Sequence, residues 1–88
     1  MIGKHKTENG FEDGYFFTRY WSTKVVQYNE TEIILRNGGW NTSTTKKRIN
    51  RVSWTENLGF TVFQKDHFWF VEYKGETIPF ENGMKLAR

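Results

Sequence analysis

Turn residues cut this chain into short pieces, and that limits its folds more than any other feature. From Tyr15 onward, runs of β-branched and aromatic residues are interrupted at Asn29-Glu30-Thr31, Asn37-Gly38-Gly39, Asp66-His67, Lys74-Gly75 and Asn82-Gly83. Such residues reach left-handed conformations or bond to their own backbone, so they reverse a chain rather than extend it. Between them lie Tyr15–Trp21, Lys24–Tyr28, Glu32–Arg36, Phe60–Lys65, Phe68–Tyr73, Glu76–Phe80 and Met84–Ala87. Lys24–Tyr28 and Glu32–Arg36 read as one hairpin, and Phe60–Lys65 and Phe68–Tyr73 as another. Pro79 has no amide hydrogen to give a ladder, which places its strand at an edge or at its end.

Thr42–Asn57 is the one good helix candidate. Ser43 or a neighbouring Thr can cap its start, and Gly59 can end it in the left-handed conformation. At 100° per residue, Thr45, Ile49, Val52 and Glu56 share a face with Ser53 beside it, a thin stripe that must lean on a sheet. Lys47, Arg51 and Trp54 project from the opposite side, flanked by Lys46, Arg48 and Asn50. The expected fold is α+β: a curved antiparallel sheet of about six strands, in the order β-β-α-β-β-β-β, packed against a single helix.

Eighty-eight residues suffice for one domain. The first 14 residues, polar and interrupted by Gly3, Gly10 and Gly14, read as a flexible tail, leaving 15–88 as a single α+β domain. Eight Phe, four Trp and four Tyr make up half of the apolar set, and there is one Ala. That composition favours pleated surfaces over long helices.

The chain has no Cys, which excludes disulfides, thiolate metal sites and cysteine nucleophiles. No apolar run is long enough for a membrane helix, and residues 1–14 lack the hydrophobic stretch of a signal peptide. The chain is therefore expected in the cytoplasm, without a membrane partner. His5 and His67 have no metal-ligand spacing to a second His or carboxylate. A carboxylate pair of Glu72 with Glu76 or Glu81 is conceivable, but acids on strands are by default solvated. No nucleophile elbow is present. The expectation is a non-enzyme with no cofactor and no metal.

The net charge of +3 is localised. Residues 41–56 carry Lys46, Lys47, Arg48 and Arg51 against Glu56, while the rest of the chain has nine bases and nine acids. Because screening confines fields to roughly 8–10 Å, charge gathered in one segment acts on a partner more than charge spread evenly. Bases early in a helix also oppose its dipole. Lys46, Lys47, Arg48 and Arg51 on phosphates, with Trp54 stacking on a base, would make this helix a nucleic-acid surface. The competing reading is a solvated helix face.

Asn37-Gly38-Gly39-Trp40 leads directly into the helix start. Gly38 and Gly39 with the hydroxyls of Thr42, Ser43 and Thr44 are candidates for binding an anion at free amides. Alternatively, the glycines form a tight turn, Trp40 plugs the core and the hydroxyls cap the helix. The run is not a P-loop, since the Gly-Lys-Ser/Thr ending is missing.

The run Asn37-Gly38-Gly39-Trp40, with Thr42, Thr44-Thr45-Lys46 and Arg48-Ile49-Asn50, resembles a group of small tailed-bacteriophage proteins. The likeness spreads through Thr18-Arg19-Tyr20, Val25-Val26, 33–35 and 59–71, covering most of 18–80 and leaving out the N-terminal tail. The resemblance implies a phage origin and the host cytoplasm, with no activity attached. Two functions follow from the residues themselves: a nucleic-acid-binding accessory protein using helix 42–57, or a protein-interaction module using aromatic surface. The second covers a host or phage protein partner and a homo-oligomer paired at open sheet edges.

Overall fold

A computed structural model describes residues 7–20, 23–39 and 43–88. Eight strands and one helix follow in the order β1 (Thr7–Glu12), β2 (Tyr15–Tyr20), β3 (Thr23–Tyr28), β4 (Glu32–Leu35), α1 (Ser43–Thr55), β5 (Phe60–Lys65), β6 (Phe68–Tyr73), β7 (Glu76–Pro79) and β8 (Met84–Ala87). The class is α+β with antiparallel pairing, but there are two sheets where one curved sheet is expected. The first has the order β1-β2-β3-β4-β8 and the second β5-β6-β7.

Three hairpin turns fall where the residues predict them. Asp66 and His67 both have positive φ, as do Lys74 and Gly75, the arrangement of the tight I′ turn that matches strand twist. The β3–β4 turn is held by Asn29, whose Oδ1 accepts from the amides of Thr31 and Glu32 at 2.9 and 3.0 Å. Pro79 closes β7, the outer strand of the second sheet. Asn82-Gly83 does not join a hairpin. It carries the chain across to the first sheet, where β8 pairs with β4.

The N-terminal segment departs from the expected tail. Thr7–Glu12 pairs with β2 at every position, through a turn at Asp13 (φ 56°) and Gly14 (φ 84°). Its one apolar residue, Phe11, is exposed, so the strand buries too little to announce itself by pattern. It is held by its partner: Phe17 lies across from Gly10, where a Cβ would come within 2.7 Å of the ring. An aromatic covering a strand glycine replaces the packing that the glycine lacks. Arg19–Glu8 and Lys24–Glu12 ion pairs flank that ring, with both cations over its face.

The register of β2 on β3 shifts between Thr18 and Arg19, opposite Val26 and Lys24. The extra residue is Val25 on β3, and the bulge breaks that strand's period of two, which is why neighbouring Val25 and Val26 are both buried.

One core joins the two sheets and the helix. Val26, Ile33, Leu35 and Leu86 of the first sheet meet Ile49 and Val52 of α1 and Phe60, Val62, Trp69 and Val71 of the second sheet. The helix does not lie across the middle of a sheet. It docks along the free edge of β5, so the second sheet and α1 together cover the first.

Candidate functional site

Helix α1 begins at Ser43 and is closed by a Schellman arrangement. Asn57 takes φ 57°, Leu58 N–H donates to Ser53 O (2.8 Å), and Asn57 N–H to Trp54 O (3.4 Å). The left-handed residue that ends the helix is thus Asn57, two positions before the expected Gly59. Asn tolerates this conformation because its short amide reaches nearby backbone. Gly59, at φ 83°, turns the chain into β5.

The helix divides its residues by face. Thr45, Ile49, Val52 and Ser53 are buried, while Glu56 lies beyond the last helical turn, exposed, and accepts a hydrogen bond from Tyr28 Oη at 3.0 Å. Lys47, Arg51 and Trp54, spaced i, i+4 and i+7, form one exposed stripe. Trp54 is 88% exposed, and neither Lys47 nor Arg51 makes an ion pair among the described residues.

The two other candidate bases fall on either flank of this stripe. Lys46 Nζ donates to Gln64 Oε1 at 3.1 Å and lies 5.8 Å from the Trp69 ring centre, toward the second sheet. Arg48 leans the other way. Its guanidinium is 5.3 Å from the Tyr20 ring centre, and its Nε is buried without a hydrogen-bond partner. Arg48 and Arg51 line one wall of a groove of about 1020 Å³ between α1 and the β1–β2 hairpin. Five candidate residues therefore form an exposed centre of three with two partly engaged flanks.

In the glycine turn, Gly38 has φ 62° and Gly39 φ 86°. Asn82 Oδ1 accepts from the amides of Asn37 (2.9 Å) and Gly38 (3.3 Å), and Gly39 N–H donates to Asn37 Oδ1 at 2.9 Å. The two glycine amides are thus engaged by side chains of the protein itself. Ser43 and Thr44 are exposed at the helix start, and Trp40 and Thr42 lie outside the described residues.

His67 is exposed in its turn, and His5 lies outside the described residues. The register sets Glu72 across from Thr77 and Glu76 across from Tyr73, so the two acids occupy opposite faces of their sheet. No group of three His, Cys, Asp or Glu side chains among the described residues is placed to hold a metal.

Residues 3–87 match the Kyanoviridae Gp96 protein family. The chain belongs to that phage family. The Gp96 match runs beyond the 18–80 span of the expected resemblance and takes in β1, so the N-terminal segment is part of what the family shares. No curated protein and no solved structure matches the chain.

The Gp96 fold also assembles a feature that the residues alone conceal. Phe11, Phe16 and Tyr28 are cross-strand neighbours on β1, β2 and β3. The Phe11 and Phe16 ring centres are 4.8 Å apart edge to face, and Phe16 and Tyr28 stack at 5.5 Å. Burial, and then the hydrogen bond to Glu56, raises the Tyr28 pKa above the ordinary tyrosine value. Asp13-Gly14 is the sequence signal for this cluster, because a two-residue turn there puts Phe11 opposite Phe16. No helix among the described residues of this Gp96 protein is long and apolar enough to cross a membrane.

Proposed function

We propose that this phage protein is a nucleic-acid-binding accessory protein whose contact surface is the outer stripe of α1. The observation that carries the reading is the exposure of Lys47, Arg51 and Trp54 side by side, in the one segment with uncompensated positive charge. A nearly bare indole beside two exposed cations suits a partner that offers phosphates and flat bases. Lys46 and Arg48 extend the positive field on both sides. The test is fluorescence anisotropy with single-stranded DNA, duplex DNA and RNA at ~50 and ~200 mM salt. Three or four phosphate contacts give a log–log slope of roughly −3. The Lys47→Glu/Arg51→Glu variant loses this binding. Flat titrations for the wild-type protein would sink the reading.

A second reading rests on a different surface. Phe63 and Phe70 stack at 5.7 Å on the outer face of the second sheet, with Pro79 paired to Phe70 and Phe68 68% exposed beside them. Aromatic rings on a sheet's outward face suit a protein partner or a second copy of the chain. Light scattering decides the oligomeric version: a dimer that Phe68→Ser reduces to monomer supports it, and a 10.6 kDa monomer removes it.

A further inference from the structure

The ladder places Phe11, Phe16, Tyr28, Ile33 and Leu86 in a single row across all five strands of the first sheet. Along this row burial decays. Leu86 and Ile33 are buried under the second sheet and α1, Tyr28 is half-buried, Phe16 is 50% exposed and Phe11 62% exposed. The covering layer is too narrow for a five-stranded sheet, so the core face continues past it as an open shelf of rings.

Cations stand on both sides of that shelf. The groove of about 1020 Å³ separates Phe11, Phe16 and Tyr28 from Arg48 and Arg51. A second groove of about 420 Å³ lies against the same three rings and is bounded by Arg88, which donates to Asn29 O at 2.6 Å, and by Glu30, so the stronger positive side of the shelf is that of Arg48 and Arg51. Neither Arg48 nor Arg51 has an acid within ion-pair distance among the described residues. The carboxylate of Glu56, which also lines the larger groove, is held by Tyr28 Oη. A ligand that complements this surface carries flat apolar groups and negative charge in close alternation.

We propose that the Phe11–Phe16–Tyr28 shelf is a base-stacking platform, with Arg48 and Arg51 on the adjoining phosphates, and that it makes the protein selective for single-stranded nucleic acid. This rests on the reading of α1 as a nucleic-acid surface. Bases in a duplex already stack on one another and hide their faces, whereas an unpaired strand can lay its bases on protein rings. The cations of the helix stripe serve both forms through their phosphates, whereas the shelf, like Trp54, serves only the single strand. The platform is tolerant of sequence, because every base offers a π-face.

The experiment compares anisotropy titrations of oligothymidine and of a hairpin duplex for the wild-type protein, Phe11→Leu, Phe11→Leu/Phe16→Leu and Arg51→Glu. Leucine keeps the apolar contact and removes the flat ring, and Phe11 lies on an edge strand, so its single variant retains the fold if the double variant melts early. Removing one stacking ring is expected to weaken oligothymidine binding about tenfold and to change duplex binding less than twofold. Arg51→Glu weakens both. Equal losses on both ligands, or no loss on oligothymidine, overturn the platform while leaving the helix surface intact. No salt-sensitive binding by the wild-type protein to either ligand overturns the helix surface and the platform together, and leaves the groove to an acidic segment of another protein.

Discussion

Asn50 and Val62 bond to each other like partners in a β-ladder. The side-chain amide of Asn50 donates to Val62 O at 2.8 Å, and Val62 N–H donates to Asn50 Oδ1 at 2.7 Å. One turn on, Ser53 repeats the device: its hydroxyl donates to Phe60 O at 2.6 Å and accepts from Phe60 N–H at 3.0 Å. The two side chains stand on consecutive turns of one helix face and meet alternate residues of β5, whose backbone groups at Phe60 and Val62 both turn toward that edge. Through these two side chains, the helix takes the place of a fourth strand.

Asn50→Ala therefore leaves both polar groups of Val62 without their partner at a covered edge. The expected loss is about 2 kcal/mol or more, since a missing bond and an unsatisfied group combine. Ser53→Ala is expected to cost about 1–3 kcal/mol on the same grounds. Urea denaturation monitored by tryptophan fluorescence checks both, and a loss no larger than for an exposed helix residue such as Thr44 would contradict the account.

Gly38 and Gly39 both sit at positive φ but differ in their surroundings. A Cβ on Gly38 would collide with Thr23 Oγ1, whereas one on Gly39 meets nothing within 4 Å. Gly39→Ala should cost about 1 kcal/mol from backbone strain alone, and Gly38→Ala clearly more. Adding Thr23→Ala to Gly38→Ala should recover part of the difference, as read in thermal melts.

Tyr15 and Tyr28 both have pKa values raised above the ordinary tyrosine value near 10. For Tyr15 the main cause is its hydrogen bond to Glu32; for Tyr28 it is burial, followed by its bond to Glu56. A raised folded pKa means that the unfolded chain releases its proton first. The stabilisation is fully present below pH ~10 and is lost as pH rises through the folded values. Stability should fall on the alkaline side, and Tyr28→Phe should flatten part of that decline. An unchanged alkaline limb in the variant would count against the Tyr28–Glu56 contact.

Lys47→Glu and Arg51→Glu change exposed residues that make no ion pair among the described residues. Each should shift stability by no more than about 0.5 kcal/mol. Each should also reduce the magnitude of the salt slope for single strands by about 0.7 for every phosphate it no longer neutralises. Lys46→Glu disturbs the hydrogen bond to Gln64 and should affect binding less, because Lys46 faces the second sheet. Equal losses of affinity at Lys46 and Arg51 would mean that the helix acts as an undivided charge cloud.

Local chemistry was enough to set the α+β class, a helix within 42–57, its exposed stripe and its buried one apart from Glu56, and the turns at Asn29-Glu30-Thr31, Asp66-His67 and Lys74-Gly75. Each depends on residues close in the chain: apolar spacing, left-handed turn formers, and charge confined to one segment. The strand β1 and the division into two sheets were decided by tertiary structure. Gly10 and the polar residues around it hold a strand only because Phe17 and the Arg19–Glu8 and Lys24–Glu12 pairs receive them. The sheets separate because Asn50 and Ser53 occupy the edge of β5 while β8 returns to β4. The same distinction applies to the candidate site. Lys47, Arg51 and Trp54 share a face by helical period alone, but the shelf of Phe11, Phe16 and Tyr28 exists only through strand register and a covering layer narrower than the sheet beneath it.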